Sequence, residues 1–124
     1  MKTWILCVDQ LGAKLYWRDN AEDPVHFWEQ IPYPTTNETY IQYIGRMTRK
    51  ACESEVKSNL IICAEPFIFD SLRPHLGAAV QARIIGKVGC NLCQVSNEQL
   101  NRSTQGFLEE SACRAFSPAH VSVF

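Results

Sequence analysis

Long apolar runs are missing from this chain. No stretch approaches the ~18 consecutive apolar residues of a membrane-spanning helix. The apolar stretch after Lys2 is cut short by Asp9, too soon for the core of a signal peptide, so a cytoplasmic location with no membrane association is expected. An excess of charge is missing too. Twelve Lys and Arg stand against 13 Asp and Glu, giving a net charge of −1, and the sequence pI is about 6.3. No global field therefore draws the chain to nucleic acid, and any RNA contact must rest on a local patch. Glycine is sparse, with none between Gly12 and Gly45 and no glycine-rich loop to cradle a phosphate. There is no internal repeat, no low-complexity segment, no Ser/His/Asp set at suggestive spacing, and no motif that calls for a cofactor.

What is present suits one globular unit. The 124 residues are 46% hydrophobic and 20% charged, enough to bury a core without staples. The six cysteines are Cys7, Cys52, Cys63, Cys90, Cys93 and Cys113. Three lie inside apolar patterns, where a free thiol behaves as a small hydrophobe, so reduced thiols are expected rather than disulfides.

The periodicity predicts strands over 3–9, 13–18 and 25–31, joined by connections short enough for an antiparallel meander. Pro32 and Pro34 stop the sheet. Thr35-Thr36-Asn37-Glu38 matches a capping box, and Tyr40, Ile41, Ile44, Met47, Thr48 and Ala51 then recur at helical spacing. The continuous run Leu60 to Ala64 fits a strand covered on both faces. Glu65-Pro66 opens a helix, Pro74 breaks it, Arg83 to Val88 reads as a strand, and Ser96-Asn97-Glu98-Gln99 caps a short helix. The expected fold is α/β: a mixed sheet with flanking helices. Its expected extent is residues 1–103, with 104–124 as a C-terminal extension packed on or trailing the same unit.

The segments 4–16 (Trp4-Ile5-Leu6-Cys7-Val8-Asp9, then Gln10-Leu11-Gly12 and Ala13-Lys14-Leu15-Tyr16), 60–73 (with Ala64-Glu65-Pro66 and Leu72-Arg73) and 84–100 resemble, in order and spacing, the bacterial host-attachment family. That family is related to the middle domain of class 1 peptide-chain release factors and of Pelota. The resemblance covers roughly residues 3–102. It implies a ribonuclease-H-like sheet and a non-catalytic module that binds RNA, the ribosome or a protein partner, with self-association as a further option. An accessory role in host-cell attachment is the alternative implied by the family. The connection Pro32 to Thr36 has no Gly-Gly-Gln, the element with which release factors serve peptidyl-tRNA hydrolysis, so that chemistry is not expected.

Three groups of side chains are candidate sites. Arg46, Arg49 and Lys50 form the most basic stretch and could touch phosphates, or be an ordinary solvated helix face balanced by Glu53 and Glu55; Arg73 and Arg83 could lie nearby. Cys90-x-x-Cys93 has the spacing of half a zinc site or a redox pair, from which a small metal- or thiol-dependent enzyme could be built. No second pair stands at matching spacing, and the bland reading is structural thiols near a strand end. Asp9, Glu65 and Asp70 could mimic the clustered carboxylates of a two-metal nuclease. Otherwise Asp9 fixes a turn and Glu65 caps a helix.

Overall fold

The computed structural model of the chain describes residues 2–9, 12–20, 23–55, 57–89 and 96–113, with side chains to residue 105. Five strands, β1 (Lys2–Val8), β2 (Ala13–Arg18), β3 (His26–Ile31), β4 (Ser58–Cys63) and β5 (Ile84–Val88), make one sheet in the order β3-β2-β1-β4-β5. β2 runs antiparallel to β1 and β3, and β4 runs parallel to β1 and β5. The expected α/β mixed sheet with flanking helices is the fold observed.

The tight turn after β1 closes on itself. The Gly12 N–H donates to Asp9 Oδ1 at 2.7 Å, and the Asp9 N–H donates to the Gly12 carbonyl at 2.9 Å. β1 and β4 are the inner strands and are apolar on both faces. Trp4, Leu6, Val8, Leu60, Ile62 and Ala64 join the larger core cluster, while Ile5, Cys7, Ile61 and Cys63 join the smaller one on the opposite face. A strand walled on both sides cannot alternate apolar with polar, which is why 60–64 reads as one unbroken run.

The larger core is covered by α1 (Tyr40–Glu53), α2 (Pro66–Leu72), a 3₁₀ turn (Arg73–His75) and α3 (Ala78–Gln81); the smaller core receives Leu100 of α4 (Asn97–Cys113). Among the described residues no helix is long and apolar enough to cross a membrane.

The capping box of α1 is not the expected one. The cap is Thr39: the Gln42 N–H donates to Thr39 Oγ1 at 3.2 Å, and the Thr39 N–H donates to Gln42 Oε1 at 3.0 Å. Thr35-x-x-Glu38 and Thr39-x-x-Gln42 both satisfy the pattern, and the second abuts the apolar stripe. Pro66 takes the first helical position of α2, and the 3₁₀ turn at Pro74 is the break that proline imposes.

Gly45 was not singled out by the apolar periodicity, yet it is buried. A Cβ there would lie 2.6 Å from His75 Cβ and 2.9 Å from the His75 carbonyl oxygen, so the bare backbone lets the 3₁₀ turn lie directly on α1. Gly77 precedes α3 with φ +82°, in the region that favours glycine.

Two arginines stitch elements together. Arg83 Nη1 donates to the carbonyls of Cys52 at 2.6 Å and Glu55 at 3.1 Å and to Ser58 Oγ at 3.2 Å, which satisfies the carbonyl end of α1. Arg18 is 1% exposed beneath α4. Its guanidinium donates to the carbonyls of Asn20 (3.1 Å) and Asn101 (3.2 Å) and to Thr104 Oγ1 (3.2 Å). The boundary expected at 103/104 falls inside α4, which is 17 residues long rather than short.

Candidate interaction surface

β3 is an edge strand. It contains no Lys, Arg or Pro, and its one acidic residue is Glu29. Natural edges are usually blunted by such residues or by a bulge, and among the described residues β3 has the bulge and Glu29. Leu15 of β2 pairs with Glu29 and Tyr16 pairs with Phe27, so Trp28 is the extra residue between them. Neighbouring residues of a strand point to opposite faces, and these two aromatics do so here. The Trp28 ring meets Trp4 edge-on at 5.5 Å between centroids, on the α1 side, while the Phe27 ring meets Tyr16 edge-on at 5.6 Å, on the α4 side.

Both remain open to solvent. Phe27 and Trp28 are each 53% exposed, and Tyr33, tilted against Tyr40 just beyond the strand, is 62% exposed. His26 stacks on Trp17 at 4.5 Å, and Lys2 Nζ lies 4.6 Å from the Trp17 ring centroid. The result is a hydrogen-bonding strand edge bordered on both faces by aromatic rings. Consecutive Phe27 and Trp28 were the available sequence signal that both faces of this strand carry aromatics.

The basic stretch on α1 is thinner than its sequence suggests. Arg46 Nη2 donates to Glu38 Oε1 at 2.7 Å and its guanidinium sits 5.1 Å from the Tyr43 ring centroid. The hydrogen bond raises the Arg46 pKa and lowers that of Glu38. Arg49 is half-buried, its Cδ 3.5 Å from where a Cβ on Gly77 would stand. Lys50 is exposed. Arg83, capping α1, is committed to the fold.

The carboxylates do not converge. Asp9 is held in its turn. Glu65 is exposed at the start of α2 with no side-chain cap bond, a departure from the expected cap, and Asp70 is exposed one turn on. Among the described residues no group of three or more His, Cys, Asp or Glu is placed to hold a metal ion. Cys90 and Cys93 lie outside the described residues. Cys7, Cys52 and Cys63 are buried, and burial pushes the Cys52 thiol from near 9.0 up to about 11.

No family model and no curated protein matches the chain. Among solved structures it is similar to one described as "Archaeal protein", with a TM-score of 0.53 at 11% identity over 91% of this chain. The match spans 40% of that chain's length. At such identity the likeness concerns the fold alone.

Proposed function

We propose that this chain is a non-catalytic, release-factor-like module of the translational machinery, acting in the cytoplasm, that binds the ribosome through a protein component. The order β3-β2-β1-β4-β5 suits the ribonuclease-H-like sheet that the family resemblance implies. The observation that carries the partner's class is the β3 edge. An open strand supplies main-chain hydrogen bonds, and exposed Phe27 and Trp28 on its two faces supply apolar contacts for alternate side chains of an added strand. Aromatic anchors of this kind are what protein interfaces concentrate.

A second reading, direct contact with RNA, draws on Arg49 and Lys50, for which no acidic partner within 4.0 Å is seen among the described residues. Arg46, tied to Glu38, would have to exchange its carboxylate for a phosphate.

Co-sedimentation of the purified protein with ribosomes separates the two. The protein-contact reading expects association that survives moderate salt and is lost in a Phe27→Ser/Trp28→Ser variant. Binding that instead falls steeply with salt, and weakens on Arg49→Gln/Lys50→Gln, would assign the contact to RNA, the log–log salt slope dropping by about one per phosphate contact removed. Absence of any association at low salt would refute the module reading.

A further inference from the structure

We propose that the β3 edge takes a basic, extended segment of its protein partner, a strand that carries Lys or Arg and adds itself to the sheet. The proposal rests on the reading of β3 as a protein-contact edge and names the chemistry of what docks there. Charge is segregated around that edge. Residues 19–45 hold five of the 13 Asp and Glu (Asp19, Glu22, Asp23, Glu29 and Glu38) and none of the 12 Lys and Arg. The net charge of −1 therefore hides an acidic segment that contains β3.

The fold sets part of this charge beside the open strand. Leu15 belongs to the larger core, and Glu29 is its cross-strand partner, so Glu29 shares the α1 face with Trp28. Asp19 follows β2 directly, at the His26 end of the edge, and is exposed. Neither Glu29 nor Asp19 makes an ion pair among the described residues. The three cations of β1 and β2 stand elsewhere. Lys2 is tied to Glu55 at 3.1 Å, and Arg18 is sealed beneath α4. Lys14 pairs with Cys7 and Gln30 on the opposite face of the sheet.

Carboxylate and aromatic rings draw the same group. A guanidinium or ammonium is attracted to Glu29 by charge and to the exposed rings of Trp28 and Phe27 by their π-faces, and a planar guanidinium can also stack on them. An added strand alternates its side chains. One docked on β3 sets a Lys or Arg against Glu29 and Trp28 on the α1 face and its next residue against Phe27 on the other. A second copy of this chain suits the edge poorly. Its own β3 brings Glu29 and the acids of 19–45, with no Lys or Arg to meet those already there, and like charges across a strand pair repel. Nucleic acid suits it no better, since its phosphates meet the same carboxylates.

The test is titration of the intact ¹⁵N-labelled protein with three end-capped peptides of equal length, followed by backbone amide shifts. The first alternates Lys or Arg with Val. The second has Glu in place of every Lys and Arg. The third keeps the basic residues and has Pro in place of every Val. The basic Val peptide should saturate with a dissociation constant of roughly 100 μM or tighter, moving the amides of 26–31 most. The Glu peptide should bind at least about tenfold more weakly, because its charge opposes that of the edge. The Pro peptide should lose about as much, since proline removes the N–H groups of an added strand. Glu29→Lys should weaken the basic Val peptide about tenfold and strengthen the Glu peptide. Glu53→Gln, an exposed change at the end of α1, should alter neither. Thermal melts establish that each variant is folded. The proposal is overturned if the basic Val peptide gives no saturable shift up to about 10 mM, if the Glu or Pro peptide binds as well, or if Glu29→Lys leaves the preference unchanged. It is equally overturned if the amides of 26–31 move with protein concentration alone, the mark of a second copy on the edge. Ribosome co-sedimentation keeps the two failures apart. Association lost in Phe27→Ser/Trp28→Ser without any preference for the basic peptide retains the protein contact and overturns its proposed chemistry. Basic-peptide binding at 26–31 without ribosome association supports the chemistry of the edge and refutes the ribosome reading.

Discussion

Replacing Gly45 with alanine pits two local effects against each other. Alanine is the better helix former, and in an exposed helix interior the change would stabilise by about 1 kcal/mol. At Gly45 the added methyl would meet His75 Cβ at 2.6 Å and the His75 carbonyl oxygen at 2.9 Å. Neither atom is the far end of a flexible side chain, so α1 and the 3₁₀ turn must separate. Overpacking of this kind costs about 1–3 kcal/mol, and contact with backbone puts it near the top of that range. The net expectation is a loss of about 2 kcal/mol, or a fall in Tm of roughly 8 °C for a domain of this size. Urea unfolding of parent and variant measures it, with an unchanged m-value showing that stability rather than compactness moved. A double-mutant cycle with His75→Gly sharpens the test. Removing the His75 Cβ relieves the closer contact but not the carbonyl one, so Gly45→Ala should cost less in the His75→Gly background without becoming favourable. A Gly45→Ala protein melting at or above the parent would show that helix propensity wins and that the close approach of these elements is not as described.

Arg83→Met keeps most of the side-chain length but leaves the carbonyls of Cys52 and Glu55 without their guanidinium donor. Chemical denaturation should show a loss of about 2 kcal/mol, with hydrogen exchange accelerating first in the last turn of α1, and a loss below about 0.5 kcal/mol would show that Ser58 and water suffice. The Cys52 thiol supplies a pH test. Its pKa rises on folding from near 9.0 to about 11, so above pH 9 the unfolded chain releases this proton while the folded chain keeps it. Its contribution is whole below pH 9 and is lost as pH rises toward 11, by up to about 3 kcal/mol. Urea midpoints across that range should therefore fall more in the parent than in Cys52→Ala; parallel curves would contradict the shift. In the same protein, brief iodoacetamide treatment at pH 8 followed by peptide mapping should leave Cys52 unmodified until the protein unfolds.

The elements legible in the sequence were those whose signal is local. The buried run at β4 announced itself because both its neighbours are apolar, and Pro66 and Pro74 act through their own rings. The turn at Asp9 was likewise readable from one side chain and the glycine three residues on. Ambiguity entered at α1, where two consecutive Thr-x-x-Glx patterns compete and only docking of the apolar stripe decides between them. What could not be read were contacts between distant segments. Arg83 looked like one more surface cation, because nothing in the sequence says that the carbonyls of residues 52 and 55 will stand in front of it. The same holds for a cleft lined by Phe69, Arg73, Gln81, Ile84 and Lys87, residues drawn from three regions of the chain. On the basic stretch, charge was legible but availability was not. Arg46 counts as a cation in the sequence and as half of an ion pair in the fold.

Arg18 makes the molecule indivisible in a way its linear layout does not suggest. A guanidinium sealed under a helix is tolerable only while that helix provides acceptors, and two of its acceptors are the Asn101 carbonyl and the Thr104 hydroxyl. Asn101 also accepts from the Val25 N–H at 2.8 Å, so the same turn of α4 grips the loop leading into β3. Undocking α4 would therefore strip partners from a desolvated charge at the heart of the meander and loosen the approach to the aromatic edge together. Disturbance at either end of this linkage should be felt at the other: the helix that roofs one face of the sheet is also the latch on the strand that borders it.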